Sequence, residues 1–194
     1  MAMDYVWYAG YGSNLHKQRF LCYIEGGTPC FGKRRTEGCK DTTLPGKDRR
    51  KDIPYQLYFA LPQGQTTTGN WGEGGVAFIH PNKDDNAETH CRMWKITTEQ
   101  YEEVKRQEGR GWYNKEISLG THDDIPIYTI TNGVILGNII SPSEAYVKTI
   151  ALGLRETCGC CDEQIFDYLI KVPGIQFQLQ AFKQMLASIG QHAQ

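Results

Sequence analysis

No apolar run in this chain approaches the roughly 20 residues that a bilayer-spanning helix needs, and its first residues, MAMDYVWYAGYGSN, lack a basic stretch followed by a long apolar one. The expectation is an intracellular, cytoplasmic protein with no membrane partner. An excess of one charge is also missing: 21 Lys and Arg stand against 22 Asp and Glu, a formal net charge of -1. The molecule as a whole therefore exerts no pull on nucleic acid or anionic lipid, and any basic patch is local. An even set of cysteines is absent too. The seven thiols, at positions 22, 30, 39, 91, 158, 160 and 161, fit reduced cytosolic cysteines better than a disulfide framework. Cys158, Cys160 and Cys161 offer one ligand knuckle where a structural zinc site usually shows two, and the spacing of His16, His80, His90 and His122 pairs none of them as ligands, so no metal is expected. Nucleotide loops are not supported, because Gly10-Tyr11-Gly12 has no third glycine of the dinucleotide fingerprint and no Gly-Lys-Ser/Thr follows.

What remains is the composition of an ordinary globular protein, 194 residues with 40% hydrophobic and 22% charged, which reads as one domain spanning 1–194. Asp4 to Ala9 is an aromatic and β-branched run that reads as a strand and stops at Gly10-Tyr11-Gly12-Ser13-Asn14. A helix follows over Asn14 to Ile24 and closes at Gly26-Gly27. Between 32 and 54 the chain turns polar and basic, with Lys33-Arg34-Arg35 and Lys47 to Lys51, and reads as a long loop or insertion. Lacking interleaved aromatic residues, and carrying Glu37, Asp41, Asp48 and Asp52, it does not read as a nucleic-acid surface.

Further strands are expected at Tyr55 to Leu61, Gly75 to His80, His90 to Ile96, Tyr113 to Leu119 and Ile125 to Thr131, about six in all. Thr97 with Gln100 has capping-box spacing and opens a helix that Gly109 ends. Ser141-Pro142-Ser143-Glu144 reads as a second box leading a helix to about Thr157. A helical extension over about 160–190 contains Asp162 to Ile170 and Ile175 to Ile189, split by Pro173-Gly174. Strands and helices do not alternate regularly, so the fold class is α+β, a small mixed barrel or sheet with flanking helices. A homodimer is as compatible with the sequence as a monomer.

Two segments point to chemistry. A glycine-containing turn between a strand and a helix leaves backbone N–H groups free for a carboxylate or oxyanion, which Gly10 to Asn14 would supply. Glu108 ends the helix that starts after Thr97 and shares one face with Tyr101 and Val104, so a carboxylate lies on an apolar stripe. Taken singly, an N-capped turn and an exposed helix-end Glu are the plainer readings.

Together, the run Tyr8-Ala9-Gly10-Tyr11-Gly12-Ser13-Asn14-Leu15 resembles the YGSNL substrate loop of the gamma-glutamylcyclotransferase-like superfamily. Trp71 to Ile79, Arg92-Met93-Trp94-Lys95-Ile96, Arg106-Gln107-Glu108-Gly109, Ile127-Tyr128 and Pro142 to Tyr146 follow in that family's order. The resemblance implies a small β-barrel with flanking helices and a cofactor-free release of 5-oxoproline from a γ-glutamyl amino acid, amine or peptide. It implies Glu108 as the catalytic residue and substrate binding by Tyr11, Gly12, Ser13, Asn14, Leu15, Tyr113, Tyr128 and Tyr146. The alternatives are the same fold acting on a γ-glutamyl-lysine or a biosynthetic intermediate, and a non-catalytic module that binds small acids.

Overall fold

The run that begins at Tyr5 becomes strand β1 (Tyr5–Gly10), and both of its faces are covered. A computed structural model describes residues 4–109 and 111–189. Trp7 and Ala9 enter one core with Phe59, Phe78 and Ile150, while Val6 and Tyr8 enter a second with Phe20, Trp94 and Tyr101. A strand buried on both faces reads as a continuous apolar run, which is why YVWYA shows no polar alternation.

β1 is the middle of a five-stranded sheet. Antiparallel β5 (Thr89–Thr97) lies on one side of it and parallel β7 (Ile125–Thr131) on the other, with β2 (Asp48–Ile53) and β6 (Lys115–His122) at the two edges. A two-stranded antiparallel sheet of β3 (Leu57–Ala60) and β4 (Val76–Ile79) packs its fully buried residues into the first core. Helix α1 (Lys17–Glu25) and α2 (Thr98–Glu108) contribute to the second core. The first core also takes in α3 (Glu144–Cys158), α4 (Asp162–Leu169) and α5 (Leu179–Ile189). The class is α+β, as the irregular order of elements implies.

Several boundaries differ from the sequence reading. The basic stretch expected as loop over 32–54 contains β2, whose DRRKDI pairs in register with β5 from Asp48 opposite Trp94 to Ile53 opposite Thr89. Charged side chains suit an edge strand, where one side of the ladder faces water, but they hide it from a search for apolar alternation. With it there are seven strands among the described residues rather than six. The helix expected from Asn14 starts at Lys17, because Ser13–Leu15 forms a separate 3-10 turn. At α3 the cap is Ser143, whose hydroxyl accepts from Tyr146 N–H, so Ser141 and Pro142 precede the helix. The last helix begins at Leu179 rather than Ile175.

The turn from β5 into α2 fixes the rest of the site. Thr97 and Gln100 form the expected capping box, Gln100 N–H donating to Thr97 Oγ1 at 3.1 Å and Thr97 N–H to Gln100 Oε1 at 3.1 Å. Thr97 is the register partner of Tyr5, the first residue of β1. Ten steps along α2 advance about 15 Å at about 1.5 Å each, and five steps along β1 advance about 17 Å at about 3.4 Å each. The helix therefore runs back beside β1, with Tyr101 and Tyr8 rings 5.8 Å apart, and its last residue reaches the loop that leaves the strand. Gly109 stops it with a positive φ of 91°, which costs a glycine little.

Candidate active site

Glu108 and Asn14, 94 positions apart in the chain, meet where α2 and β1 end. The Asn14 side-chain amide donates both to Glu108 Oε1, through a short contact, and to the Tyr8 hydroxyl at 3.0 Å; Tyr8 in turn approaches the same Oε1 at 3.4 Å. The Asn14 backbone is held separately, since the Trp94 indole donates to its carbonyl at 2.9 Å. A buried loop residue is thus pinned by a core tryptophan while its amide is aimed at the carboxylate. The Asn14 side-chain oxygen is buried and has no hydrogen-bond partner among the described residues.

From α1 comes a second support. The Arg19 guanidinium donates through a short contact to the Tyr23 hydroxyl, lies 4.0 Å above the Tyr23 ring, and so places that hydroxyl between itself and Glu108. Burial pushes the Tyr23 phenol well above its ordinary range, against the opposing pull of Arg19 and with a further push from Glu108. Burial and then Glu108 do the same to Tyr8. Both phenols therefore remain protonated at neutral pH and act as donors toward the carboxylate.

The half-buried Glu108 carboxylate opens onto a cleft of about 270 Å³, joined by a small inner recess of about 20 Å³ under the loop. Ser13, Tyr113 and Tyr146 border both spaces. Gly12 lies so close to Tyr146 that a Cβ there would stand 2.8 Å from its hydroxyl, so the backbone can follow this path only without a side chain. Leu15 N–H and His16 N–H close the 3-10 turn on the Gly12 and Ser13 carbonyls, each at 3.1 Å. Of the N–H groups at the start of the turn, which have no partner within it, Ser13 N–H faces the Tyr146 oxygen, and the others are those a carboxylate or oxyanion could meet.

A solved gamma-glutamyl cyclotransferase superposes with a TM-score of 0.59 at 18% identity, covering 93% of this chain and 99% of that one. An uncharacterized protein from Homo sapiens superposes with a TM-score of 0.58 at 19% identity, again over 93% and 99%. The fold is that of the gamma-glutamyl cyclotransferases. By sequence, histone deacetylase 5 of Arabidopsis thaliana is 31% identical over 206 aligned positions, taking in 86% of this chain. The chain spans 30% of the length of that curated relative. No protein-family model matches the chain.

Within this cyclotransferase fold, Glu108, Ser13, Tyr113 and Tyr146 line the cleft, and Tyr11, Gly12 and Asn14 line the inner recess. Two residues expected at the pocket lie elsewhere. Leu15 is fully buried, turned by the 3-10 turn into the core, where its Cβ and backbone crowd Gly153 of α3. Tyr128 is the register partner of Tyr8 on β7, and alternation along the strand sends its ring to the α2 side, where it stacks on Tyr101 at 5.9 Å. Other phenols are already committed: Tyr113 donates to the Ala77 carbonyl at 2.9 Å, Tyr146 accepts from Ala77 N–H at 3.2 Å, and Tyr11 donates to the Ile130 carbonyl at 2.7 Å. Tyr113 and Tyr11 have thus spent their donors and shape the walls, whereas Tyr146 only accepts from Ala77 and keeps its O–H.

The sequence reading missed Arg19 and Tyr23, and it did not connect Arg34 and Arg35 with the cleft. Arg19 and Tyr23 stand i, i+4 on α1, a spacing legible in the sequence, but nothing local to the helix says that this polar pair faces Glu108.

All seven cysteines are free. Burial pushes the Cys158 thiol up to about 11 and the Cys39 thiol up to about 12, so neither is an activated thiolate. Among the described residues Asp52, Glu88 and His90 group closely enough to hold a cation, yet Asp52 is engaged by His90 at 2.7 Å and by Arg50 at 2.9 Å.

Proposed function

We propose that this protein is a γ-glutamyl cyclotransferase, releasing 5-oxoproline from a γ-glutamyl compound with Glu108 as the proton shuttle. The observation that carries the reading is the meeting of the loop amide of Asn14 with the Glu108 carboxylate in the inner recess, from which Glu108 reaches the cleft, in a chain with the fold of the cyclotransferases.

The reaction needs a deprotonated α-amino group on the substrate. That nitrogen attacks the γ-carbonyl carbon, the new C–N bond closes a five-membered lactam, and the old amide C–N bond breaks. One proton leaves the attacking nitrogen and one must reach the departing amine. A single carboxylate beside both nitrogens can accept the first and deliver the second. Asn14 and Tyr8 donate to one oxygen of Glu108, which supports a carboxylate held in one orientation as an acceptor. The unpartnered Asn14 oxygen is suited to the substrate's ammonium, and the N–H groups at the start of the turn are suited to the oxyanion of the tetrahedral intermediate. Because the nucleophile belongs to the substrate, orientation in the cleft replaces a covalent enzyme intermediate.

The test is incubation with a panel of γ-glutamyl amino acids, amines and γ-glutamyl-lysine, with 5-oxoproline measured. Turnover of at least one compound is expected, and Glu108→Gln should lower kcat by about 10²- to 10⁴-fold with the fold intact by circular dichroism. A folded protein that turns over no member, or a fully active Gln variant, refutes the reading.

A further inference from the structure

The arginines without a carboxylate partner among the described residues are Arg19, Arg34, Arg35 and Arg49; Arg50, Arg106 and Arg155 each hold one and Arg92 holds two. Three of the four unpaired ones, Arg19, Arg34 and Arg35, line the cleft that holds Glu108. Arg19 is 4% exposed, and its Nε and Nη1 make no hydrogen bond. A buried guanidinium with two orphaned nitrogens is costly unless an anion comes to it. Arg34 and Arg35 are exposed and come from the basic stretch after α1, at the rim of the same cleft. Against these three cations Glu108 is the one carboxylate among the lining residues.

We infer that the cleft selects γ-glutamyl compounds whose leaving group is an acidic amino acid, carrying two carboxylates. The inference rests on the cyclotransferase reading, which occupies the Glu108 end of the cleft with the γ-glutamyl group and leaves the remainder to the departing amine. With three cations against one carboxylate, the net positive field of this concave, partly buried space is focused there and raises the local concentration of anions. Arg19 meets the first carboxylate in the wall, where water is excluded. The rim pair meets the second carboxylate in contact with solvent, so its contribution is the one that salt screens. An amine without a carboxylate, or the ammonium of a lysine, gains nothing from this lining.

Three substrates separate the two steps: γ-glutamyl-ethylamine, γ-glutamyl-alanine and γ-glutamyl-glutamate, whose leaving groups carry none, one and two carboxylates. Expected kcat/KM rises in that order, by about 10- to 100-fold for the first carboxylate and less for the second. Arg19→Gln should collapse the alanine-to-ethylamine ratio, with Arg19→Lys keeping part of it. Arg34→Gln with Arg35→Gln should collapse the glutamate-to-alanine ratio, as should 0.5 M salt with the wild type. Equal use of all three substrates, or ratios that survive these substitutions, overturns the inference. A loss in Arg19→Gln that is the same for all three substrates also overturns it, because it places Arg19 on the substrate's own α-carboxylate. If no compound turns over, the cyclotransferase reading fails by itself. Titration calorimetry of the same compounds with the wild type then decides the inference, the same order of affinity supporting it and equal affinities refuting it.

Discussion

Helix propensity and packing give opposite signs for Gly153→Ala, which makes this substitution a sharp test of how the loop is held. Gly153 lies inside α3, where replacing glycine by alanine in an exposed helix gains about 1 kcal/mol. Here a Cβ would stand 2.4 Å from Leu15 Cβ, 2.5 Å from the Leu15 carbonyl carbon and 2.5 Å from His16 N. Ordinary carbon contacts are about 3.5–4.0 Å, so the turn or the helix must yield by about 1 Å. Two of the three atoms are backbone, fixed by the Gly12–Leu15 and Ser13–His16 hydrogen bonds, and rotamer change cannot relieve them. Overpacking of this kind costs about 1–3 kcal/mol, occasionally more, and the rigid partners put the cost at the upper end. After the propensity gain the net is about 2 kcal/mol of destabilisation.

For a chain of this size that lowers Tm by about 4–8 °C and moves the urea midpoint down at constant slope. The displaced turn carries Asn14, so kcat/KM for 5-oxoproline release should fall by about 10²-fold, the cost of about 1 Å of misplacement at a reacting group. Urea unfolding followed by tryptophan fluorescence, beside the activity assay, gives both numbers. A Gly153→Ala protein that is more stable than wild type, or as active, refutes the claim that α3 seats the loop by close contact.

Three further outcomes follow from the same structure. Tyr23→Phe removes the hydroxyl between Arg19 and Glu108; stability should fall by about 1–3 kcal/mol as Arg19 loses its acceptor, and kcat by about tenfold, read by urea unfolding and the 5-oxoproline assay. Thr97→Ala removes the α2 cap and should cost about 1 kcal/mol in urea unfolding. His16 is buried, and burial, opposed by Glu156 and aided by Arg92, lowers its pKa from the ordinary 6.5. Its neutral form is favoured in the fold, so this contribution to stability is complete above about pH 6.5 and declines as pH falls below it, when the unfolded chain binds a proton that the folded one resists. Urea midpoints at pH 7.5 and 5.5 should therefore differ less in His16→Gln than in wild type.

Legibility in the sequence followed the range of the interactions involved. The capping box at Thr97 and the stop at Gly109 are local, and Glu108 could be placed at a helix end from them alone. β1 was legible because both of its faces are apolar. β2 was not, because the information that makes DRRKDI a strand is carried by its neighbour β5, and nothing in its own side chains alternates. The turn of Ser13–Leu15 illustrates a middle case: the glycine before it and its Ser-Asn pair announce a turn, but the direction of each side chain depends on α3 beneath it, which is why Leu15 goes to the core and Asn14 to the inner recess beside Glu108.

The cleft's charge lay furthest from reach, and it separates two levels of the design. Arg19, Arg34 and Arg35 come from a helix and a basic stretch in a chain of net charge -1, from which it follows only that any basic patch is local, not where it lies. Pairing and place together distinguish them: elsewhere arginines are spent on carboxylates such as Glu156, Asp48 and Asp162, and near neutrality is the sum of those pairs, of unpaired charges of both signs over the surface, and of three arginines gathered at one opening. Composition can bound the whole molecule's field, but the field that a substrate meets is set by which charges the fold leaves without partners.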